Sequence, residues 1–303
     1  PNKFVNGISF SDYAGLRDSR DAPLLNRVIQ GQYPPASTIK PMLGLAGLNR
    51  EVITIDTVVP DPGYYQLPGD PRRYRDWILR VRGTGHAEEM NLRDSIAQSC
   101  DVYFYELANR LGIDAIAESL DVFGIGSLTG VDLPSEKRGI LPSTEWKRRV
   151  IGSNWYGGET LIVGIGQGYM LATPMQLAVA TTALATRGTA FKPSLVAAVD
   201  GTPVQPEALL TVSAAAEYWD EVFAGMVDTV SSARGTAFGM RSGLAYDVAG
   251  KTGTAQVVAI AQDATYDEES LTEYQRNHGW FIAFAPVENP EIVVAVLTEN
   301  SGG

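Results

Sequence analysis

The C-terminal part of the chain carries its clearest strand signals, in residues 279–299, which read GWFIAFAPVENPEIVVAVLTE. Two runs rich in β-branched and aromatic side chains flank PVENP, whose prolines and asparagine are typical of a turn. This pattern predicts two strands joined as a hairpin. A third strand is predicted within residues 247–260, DVAGKTGTAQVVAI, so we expect an antiparallel sheet late in the chain.

The preceding part of the chain has the periodicity of helices. Apolar residues recur at helical spacing in residues 91–121 and 173–187, and the second segment opens with a Thr-Pro pair suited to a helix start. Residues 60–73, PDPGYYQLPGDPRR, are rich in proline and glycine and predict an irregular loop. Helices followed by a sheet predict a mixed α/β (α+β) fold, with an antiparallel sheet flanked by helices and a helical lobe at about residues 60–180.

Composition limits the class of protein. The chain has 303 residues, of which 45% are hydrophobic and 19% charged, so it can bury a large core as one globular body. Its net charge of -11 and its lack of Lys/Arg-rich runs argue against a nucleic-acid partner. No long apolar run or signal peptide occurs, and the sequence does not begin with methionine. We expect a fragment of a longer protein whose other part holds a membrane anchor.

The first motif with chemical potential is YPPASTIKPMLG, in which Ser37 precedes Lys40 by one helical turn. Two prolines before it end any earlier helix, so a helix is expected to begin near Ser37, where its dipole favours an oxyanion. A neutral Lys40 can accept the serine proton, and burial or a second cation such as Lys251 would favour that neutral form. By itself the pair is weak evidence, because similar pairs occur on solvated helix faces.

The second motif is Ser99 with Asp101, at a break between helical segments. Two interpretations stay open from the residues alone. Either residue can be an ordinary N-cap of the helix that VYFYELANRL predicts. Alternatively, Ser99 relays a proton between Lys40 and a leaving group, while Asp101 hydrogen-bonds a substrate amide.

The third motif is AGKTGTAQVV. On a strand, Thr252 and Thr254 point to one face and can hold a substrate carboxylate, with Lys251 adding positive charge at the same edge. Gly253 would let a ligand backbone approach, and the amides of Thr254 and Ser37 can form an oxyanion hole. The alternative is a plain surface strand with alternating lysine and threonine.

The order Ser-x-x-Lys, Ser-x-Asp, Lys-Thr-Gly, starting at residues 37, 99 and 251, matches the signature of penicillin-binding proteins and serine β-lactamases. Stretches spread over nearly the whole chain resemble the transpeptidase domain of class B penicillin-binding proteins, in particular its elongation-specific branch. These stretches are PNKFVNGIS, NRVIQGQYPPAST, DPGYYQLPG, RYRDW, VGIGQGYMLATPMQLAVA and FAPVENPEIVVAV.

The resemblance implies the penicillin-binding protein/serine β-lactamase-like fold and a D,D-transpeptidase that serves rod-shape cell-wall elongation. Ser37 would attack the penultimate D-Ala carbonyl of a peptidoglycan stem peptide ending in D-Ala-D-Ala, and an amine from a neighbouring strand would resolve the acyl-enzyme. The family's second motif commonly ends in Asn. Asp101 differs, since an ionised aspartate accepts but does not donate hydrogen bonds, and it resembles the elongation-specific branch in this respect.

The resemblance also implies partners and a location. It implies that β-lactams acylate the protein, and that a SEDS-type glycan polymerase and other elongation-complex proteins contact it. It places the protein on the periplasmic face of the bacterial inner membrane, with an N-terminal anchor and a pedestal domain outside these residues. No organic cofactor is implied.

The chain's single cysteine, Cys100, lies between the two residues of the second motif, so we expect it to face away from the substrate. From composition alone, a small buried cysteine and a surface histidine are the simpler interpretation. Some members of the elongation-specific branch carry zinc behind the active site, and Asp61, Asp76, His86 and Cys100 resemble that ligand set. Four protein ligands leave no position for water, so this zinc would be structural. The other histidine, His278, is predicted to be a surface residue.

Two other functions fit the same motifs. A serine β-lactamase or D,D-carboxypeptidase would share the acylation machinery, but the sequence specifies no base for a deacylating water. A non-catalytic β-lactam sensor on this fold is the second alternative, since fold does not fix function. Intact Lys40, Ser99 and Lys251 favour an enzyme.

Overall fold

The computed structural model describes residues 2–258 and 267–302. Its α-helices are α1 Phe10–Arg17, α2 Arg27–Gln30, α3 Lys40–Asn49, α4 Trp77–Arg82, α5 Leu92–Ala97, α6 Asp101–Leu111, α7 Ile113–Asp121, α8 Thr144–Val150, α9 Gly157–Gly164, α10 Pro174–Ala185 and α11 Ala216–Ser231. Its strands are β1 Tyr64–Tyr65, β2 Tyr74–Arg75, β3 Thr189–Phe191, β4 Ala198–Val199, β5 Thr202–Pro203, β6 Ala208–Thr211, β7 Ala249–Ala255, β8 His278–Ala285 and β9 Ile292–Thr298. Short 3₁₀ turns cover Asn2–Phe4, Ala36–Ile39, Phe238–Arg241, Glu268–Ser270 and Glu273–Gln275.

Strands β7, β8 and β9 form an antiparallel sheet in that order. On the central strand β8, Ile282 lies opposite Lys251 of β7 and Ala295 of β9. The late antiparallel sheet and its hairpin are therefore confirmed. The predicted segment 247–260 is shorter as a strand, because only residues 249–255 pair with β8, and its last two residues lie outside the described residues.

The helical predictions are confirmed with two interruptions. The segment 91–121 contains α5, α6 and α7, which are separated at Ser99 and at Gly112. Both residues have positive φ angles, 58° and 74°, which an α-helix does not accommodate. In the segment 173–187, the Thr173 side chain caps α10.

The predicted irregular loop contains one small ladder. Strands β1 and β2 pair antiparallel, with Tyr64 opposite Arg75 and Tyr65 opposite Tyr74, and the rest of residues 60–73 has no strand or helix. Two further antiparallel pairs, β3 with β6 and β4 with β5, lie between α10 and α11. The mixed α/β fold is confirmed, while the bounds of the helical lobe stay a prediction.

The core places two parts of the future site side by side. Helix α3 is buried along nearly its whole length, from Lys40 to Leu48. Helix α10 packs against β8 and β9, and α11 packs against β7. The turn Ala36–Ile39, which leads into α3, contacts β7 directly. Within the described ranges, no helix has the length and hydropathy needed to cross a membrane.

Candidate active site

Ser37 lies in a turn that is held in an unusual conformation. Residues Ala36–Ile39 form a 3₁₀ turn, and Ala36 has a φ angle of 52°, a left-handed conformation that costs a non-glycine residue about 1 kcal/mol or more. The Ala36 amide donates to the Gly166 carbonyl at 2.8 Å, which holds this turn in place. Ser37 is half-buried. The expected α-helix begins at Lys40 rather than at the serine, and the tight 3₁₀ spacing still places positions 37 and 40 on one face.

Lys40 joins the first two motifs. Its fully buried Nζ donates to the Ser99 carbonyl at 2.9 Å, to the Asp101 Oδ1 at 2.7 Å and to the Ser99 Oγ at 3.4 Å. The predicted approach of Lys40 to Ser99 is therefore present in the structure. The contact with Asp101 is a buried ion pair, so Lys40 has an anionic partner that was not anticipated from the sequence.

The environment of Lys251 corrects the expected division of charge. Burial, and then the positive charge of Lys40, lower the pKa of Lys251 well below its ordinary 10.5, while Asp101 acts in the opposite direction. Lys251 is fully buried and donates to the Thr252 carbonyl at 3.0 Å. The sequence analysis assigned the neutral amine to Lys40 and the helping cation to Lys251, whereas the structure favours Lys251 as the amine without a proton.

The Ser99–Asp101 loop owes its shape to residues on both sides. Ser99 has a φ of 58°, and its carbonyl also accepts from Trp77 Nε1 at 3.1 Å. The N-cap of α6 is Cys100, whose Sγ accepts from the Tyr103 amide at 3.4 Å, so neither Ser99 nor Asp101 is the cap. Asp101 Oδ2 accepts from the Trp77 amide at 3.3 Å. Both Asp101 oxygens thus have partners in the chain, and its suggested contact with a substrate amide stays a prediction.

The Lys-Thr-Gly motif lies on β7, next to the nucleophile turn. A Cβ at Gly253 would lie 3.0 Å from Thr38 Cγ2, so this glycine allows the turn to pack against β7. That role replaces the predicted one, which was access for a ligand backbone. Thr254 is exposed, and the Thr252 hydroxyl lies 2.6 Å from that of Thr236. Thr236 was not anticipated, because nothing in the sequence connects it with this strand.

A further residue at β7, Gln167, was missed as a candidate. Its Nε2 donates to the Thr254 carbonyl at 2.9 Å, and its Oε1 accepts from the Gln256 amide at 3.3 Å. It belongs to the stretch VGIGQGYM, where a polar residue between two glycines in an otherwise apolar segment was the available signal.

Behind the Ser99–Asp101 loop, the predicted metal ligands come together. The candidate ligand atoms of Asp61, Asp76, His86 and Cys100 all lie within 4.8 Å of one another. His86 Nδ1 is 2.7 Å from Asp61 Oδ2, and Cys100 Sγ donates to the same oxygen at 3.6 Å. In the described part of the chain, His86 Nε2 is a buried nitrogen with no hydrogen-bond partner. A set of two carboxylates, one imidazole and one thiol fits a tetrahedral zinc.

Charge in this cluster is poorly compensated by the chain itself. Burial, reinforced by the charges of Asp76 and Asp61, raises the pKa of Cys100 well above its usual value. Burial also raises the pKa of Asp76 to about 6, and the charge of Asp101 acts in the same direction. For Asp61, burial is outweighed by hydrogen bonds from His86 and the Gly63 amide, which lower its pKa. Buried anionic groups without a cation favour their protonated forms, and a bound metal would remove that need.

Asp76 connects this cluster with the second motif. Its Oδ2 accepts from the Asp101 amide at 2.6 Å and from the Val102 amide at 3.1 Å, at the start of α6. Its Oδ1 caps α4 through the Ile78 amide. The two histidines also differ from the surface interpretation: the His86 side chain is only 1% exposed, and His278 is half-buried with Nδ1 accepting from the Asn300 amide.

Comparison with known proteins agrees with the site and the fold. The family model described as penicillin binding protein transpeptidase domain matches residues 1–303. The chain belongs to this family of penicillin-binding protein transpeptidase domains. Among curated proteins it is 46% identical to the peptidoglycan D,D-transpeptidase MrdA of Acinetobacter baumannii, covering 99% of this chain and 44% of the relative. It is 40% identical to the protein of that name in Escherichia coli, covering 100% of this chain and 48% of the relative.

Solved structures give the same result. The chain matches Pseudomonas aeruginosa PBP2 with a TM-score of 0.86 and 45% identity, covering 99% of this chain and 64% of that one. It matches Helicobacter pylori PBP2, in a complex with MreC, with a TM-score of 0.85 and 33% identity, covering 100% and 52%. The predicted resemblance to the class B transpeptidase domain of penicillin-binding protein 2 is confirmed. The chain spans about half the length of the curated relatives it matches.

Proposed function

We propose that this chain is the catalytic domain of a peptidoglycan D,D-transpeptidase that acts through an acyl-enzyme on Ser37. The observation that carries the proposal is the convergence of Lys40 on Ser99 and Asp101, one turn from Ser37 and beside the Lys-Thr-Gly strand. A nucleophilic serine needs a nearby base, a proton route to the leaving group and donors for the oxyanion. The site offers candidates for all three.

The two buried lysines and Asp101 supply the base. Asp101 balances the ammonium of Lys40, and burial keeps Lys251 uncharged, so the cluster holds one free amine. Interacting groups of this kind titrate together, and the free amine is available to the site as a whole. It takes the proton from Ser37 as the Oγ attacks the penultimate D-Ala carbonyl. The Ser99 hydroxyl, 3.4 Å from Lys40 Nζ, passes a proton to the departing D-Ala amine.

The β7 strand binds the substrate. The amides of Thr254 and Ser37 stabilise the tetrahedral oxyanion. The hydroxyls of Thr252 and Thr254, with Thr236 beside them, receive the terminal carboxylate. An amine from a second stem peptide then attacks the acyl-enzyme and forms the crosslink. β-Lactams acylate Ser37 in place of D-Ala-D-Ala.

The proposal for the full protein extends to its partners and location. Its curated relatives are named peptidoglycan D,D-transpeptidases, and Helicobacter pylori PBP2 has been solved in a complex with MreC. A further neighbour, 32% identical with a TM-score of 0.81, is described as a peptidoglycan synthase complex that coordinates polymerization and crosslinking. We place the protein in the elongation complex with a SEDS-type polymerase, at the periplasmic face of the inner membrane, with an anchor and a pedestal outside these residues.

Intact-mass analysis after reaction with benzylpenicillin tests the acylation. We expect one adduct that maps to Ser37, disappears in Ser37→Ala and persists for minutes to hours, while the melting temperature of the variant stays close to the wild-type value. Crosslink formation between stem-peptide donors and acceptors then establishes transpeptidation. Rapid release of the adduct would instead indicate a β-lactamase, and a stable adduct without crosslinking would indicate a sensor. An adduct on another side chain would overturn the proposal.

We also propose that Asp61, Asp76, His86 and Cys100 hold a structural zinc that supports the Ser99–Asp101 loop. The support is the donor set, its burial and the unpartnered His86 Nε2. Native mass spectrometry of protein prepared without chelator should give about one zinc per chain. Cys100→Ser should lower the zinc content, destabilise the loop and slow acylation. Metal-free wild-type protein that melts at the same temperature as Cys100→Ser would rule the zinc out.

A further inference from the structure

One short loop contacts both parts of the proposed oxyanion hole. Gly166 and Gln167 follow helix α9 and lie between the nucleophile turn and β7. The Gly166 carbonyl accepts from the amide of Ala36, the residue before Ser37. The Gln167 side chain binds the backbone of β7 at Thr254. Two adjacent residues therefore connect the two chain segments whose amides would hold the oxyanion.

The geometry of β7 shows which way the Thr254 amide points. β7 is the outer strand of its sheet, with β8 on one side only. In an antiparallel ladder, the N–H and C=O of one residue point to the same side of the strand. The Thr254 carbonyl accepts from Gln167, which lies off the sheet, so the Thr254 N–H points to that free edge as well. The nucleophile turn lies against the same strand.

Gln167 imitates the neighbouring strand that β7 lacks at this edge. Its amide group donates to the Thr254 carbonyl and accepts from the Gln256 amide, which is the pairing that one residue of a partner strand would provide. Only a group with a donor and an acceptor on one planar end satisfies both contacts. Gln167 is 9% exposed, so water competes weakly for these bonds.

The other half of the connection is a close backbone contact. Gly166 has a φ of 71°, and a Cβ built on it would lie 2.1 Å from the Ala36 carbonyl oxygen. No side chain fits there, so the loop backbone rests directly on the turn that carries Ser37. Any movement of this loop relative to β7 would change the separation of the Ser37 and Thr254 amides.

We propose that Gln167 is a positioning residue that sets the distance between the Ser37 amide and the Thr254 amide, and so the fit of the oxyanion hole to the transition state. This rests on the proposed Ser37 acylation. Gln167 touches neither substrate nor nucleophile and acts through Thr254. Loss of its two bonds should affect the transition state more than ground-state binding, because an oxyanion hole fits the tetrahedral species.

The test uses the full-length protein and separates the acylation rate constant from the initial binding constant for a fluorescent penicillin. We expect Gln167→Leu, which is nearly isosteric, to reduce the acylation rate constant about 10- to 100-fold, less than the full loss of an oxyanion donor. The initial binding constant should change less than about threefold. A boronic acid that forms a tetrahedral adduct on Ser37 should lose affinity by a factor similar to the loss in rate, since it occupies the same hole.

Two variants separate positioning from general stability. Gln176→Leu is the matched control, because Gln176 is also a buried glutamine that bonds backbone groups, between Thr173 and Ser127. It should lower the melting temperature without changing the acylation rate constant. In Gln167→Glu, a protonated carboxyl offers one donor and one acceptor, as the amide does, whereas a carboxylate offers acceptors only. Its rate relative to Gln167→Leu should therefore rise as the pH falls.

The outcomes distinguish the two proposals. If the wild-type protein acylates at Ser37 and Gln167→Leu reacts at the same rate, the positioning role is wrong and the proposed function stands. A rate loss equal to that of Gln176→Leu, with no loss of boronic acid affinity, would also overturn the positioning role. A wild-type protein with no adduct at Ser37 would overturn the proposed function and this inference together.

Discussion

Two buried charged clusters lie on opposite sides of the Ser99–Asp101 loop, and they resolve their charge in different ways. The front cluster is Lys40, Asp101 and Lys251. The rear cluster is Asp61, Asp76, His86 and Cys100. The front cluster has more potential cations than anions, and burial lowers the pKa of one lysine. The rear cluster has more potential anions, and burial raises the pKa of Asp76 and Cys100.

The difference separates a site that can exchange protons from one that can be fixed. In the front cluster the excess is relieved by loss of a proton, which leaves a free amine and serves acid–base chemistry. In the rear cluster the excess would be relieved by protons or by a metal, and a metal would keep all four side chains in one arrangement. Asp76 belongs to the rear cluster and holds the amide of Asp101, so the rigid side supports the reactive side.

The largest effect should come from Lys40→Arg, which retains the positive charge next to Asp101 but cannot release its proton. We expect Ser37 acylation to fall by about 10²- to 10⁴-fold, the usual contribution of a general base. Stopped-flow labelling with a fluorescent penicillin measures it. The matched control is Lys147→Arg, because Lys147 is also buried and paired with a carboxylate, Glu159, at 2.6 Å. A Lys40→Arg rate within tenfold of wild type would mean that charge alone suffices.

The next effect tests the connection between the clusters by comparing Asp76→Ala with Asp61→Ala. Each change removes one rear carboxylate that also accepts from two backbone amides. Only Asp76 holds the start of α6, next to Asp101. Both variants should lose metal, and Asp76→Ala should also reduce the acylation rate about 10- to 100-fold, as outer-shell changes often do.

Acylation and zinc content, measured on the same samples, check this comparison. Asp61→Ala should react within about threefold of Asp76-intact protein that has been stripped of metal, because its lost amide contacts lie away from the motif. Equal rate losses in both variants would show that the rear cluster acts only as a whole, and that Asp76 has no separate part in holding the loop.

Much of the fold was predictable because it depends on local patterns. The alternation in residues 279–299 and the apolar spacing in 173–187 correspond to β8, β9 and α10. The break at Ser99 was placed correctly, but its cause was not, since the cap is the Cys100 sulfur and not an oxygen. Gly253 was assigned to a ligand, although it faces Thr38, a residue far from it in sequence.

The site was predictable where a family motif covers it and not where contacts alone define it. Ser37, Lys40, Ser99 and Lys251 were found through the motifs, and the resemblance also gave the rear cluster. The ion pair of Lys40 with Asp101 and the β7 contact of Gln167 were missed, because they join segments far apart in the chain. Charge balance depends on burial and on distances between such segments, so the sequence analysis assigned the neutral amine to the wrong lysine.

The smallest effect, on stability, should come from Lys251→Met. In the unfolded chain this lysine has its ordinary pKa of 10.5, and in the folded protein the value is much lower. At neutral pH folding therefore favours release of a proton, which reduces the free energy of unfolding, and this loss shrinks as the pH rises towards 10.5. Lys251→Met should raise the free energy of unfolding by about 1–4 kcal/mol near pH 7, as when buried ionic groups are replaced by apolar ones.

Denaturant unfolding of Lys251→Met and wild type at several pH values measures this difference. The advantage of the variant should be largest at neutral pH and should decrease on the alkaline side, because the wild-type protein regains stability as its unfolded state loses the same proton. The exposed Lys192, which is 3.7 Å from Glu207, gives the control, and Lys192→Met should stay within about 0.5 kcal/mol of wild type. A variant that is less stable than wild type, or an advantage that grows with pH, would show that Lys251 keeps its proton in the fold. The front cluster would then hold two cations against one carboxylate, and the contrast with the rear cluster would disappear, because neither would have relieved its charge by giving up a proton.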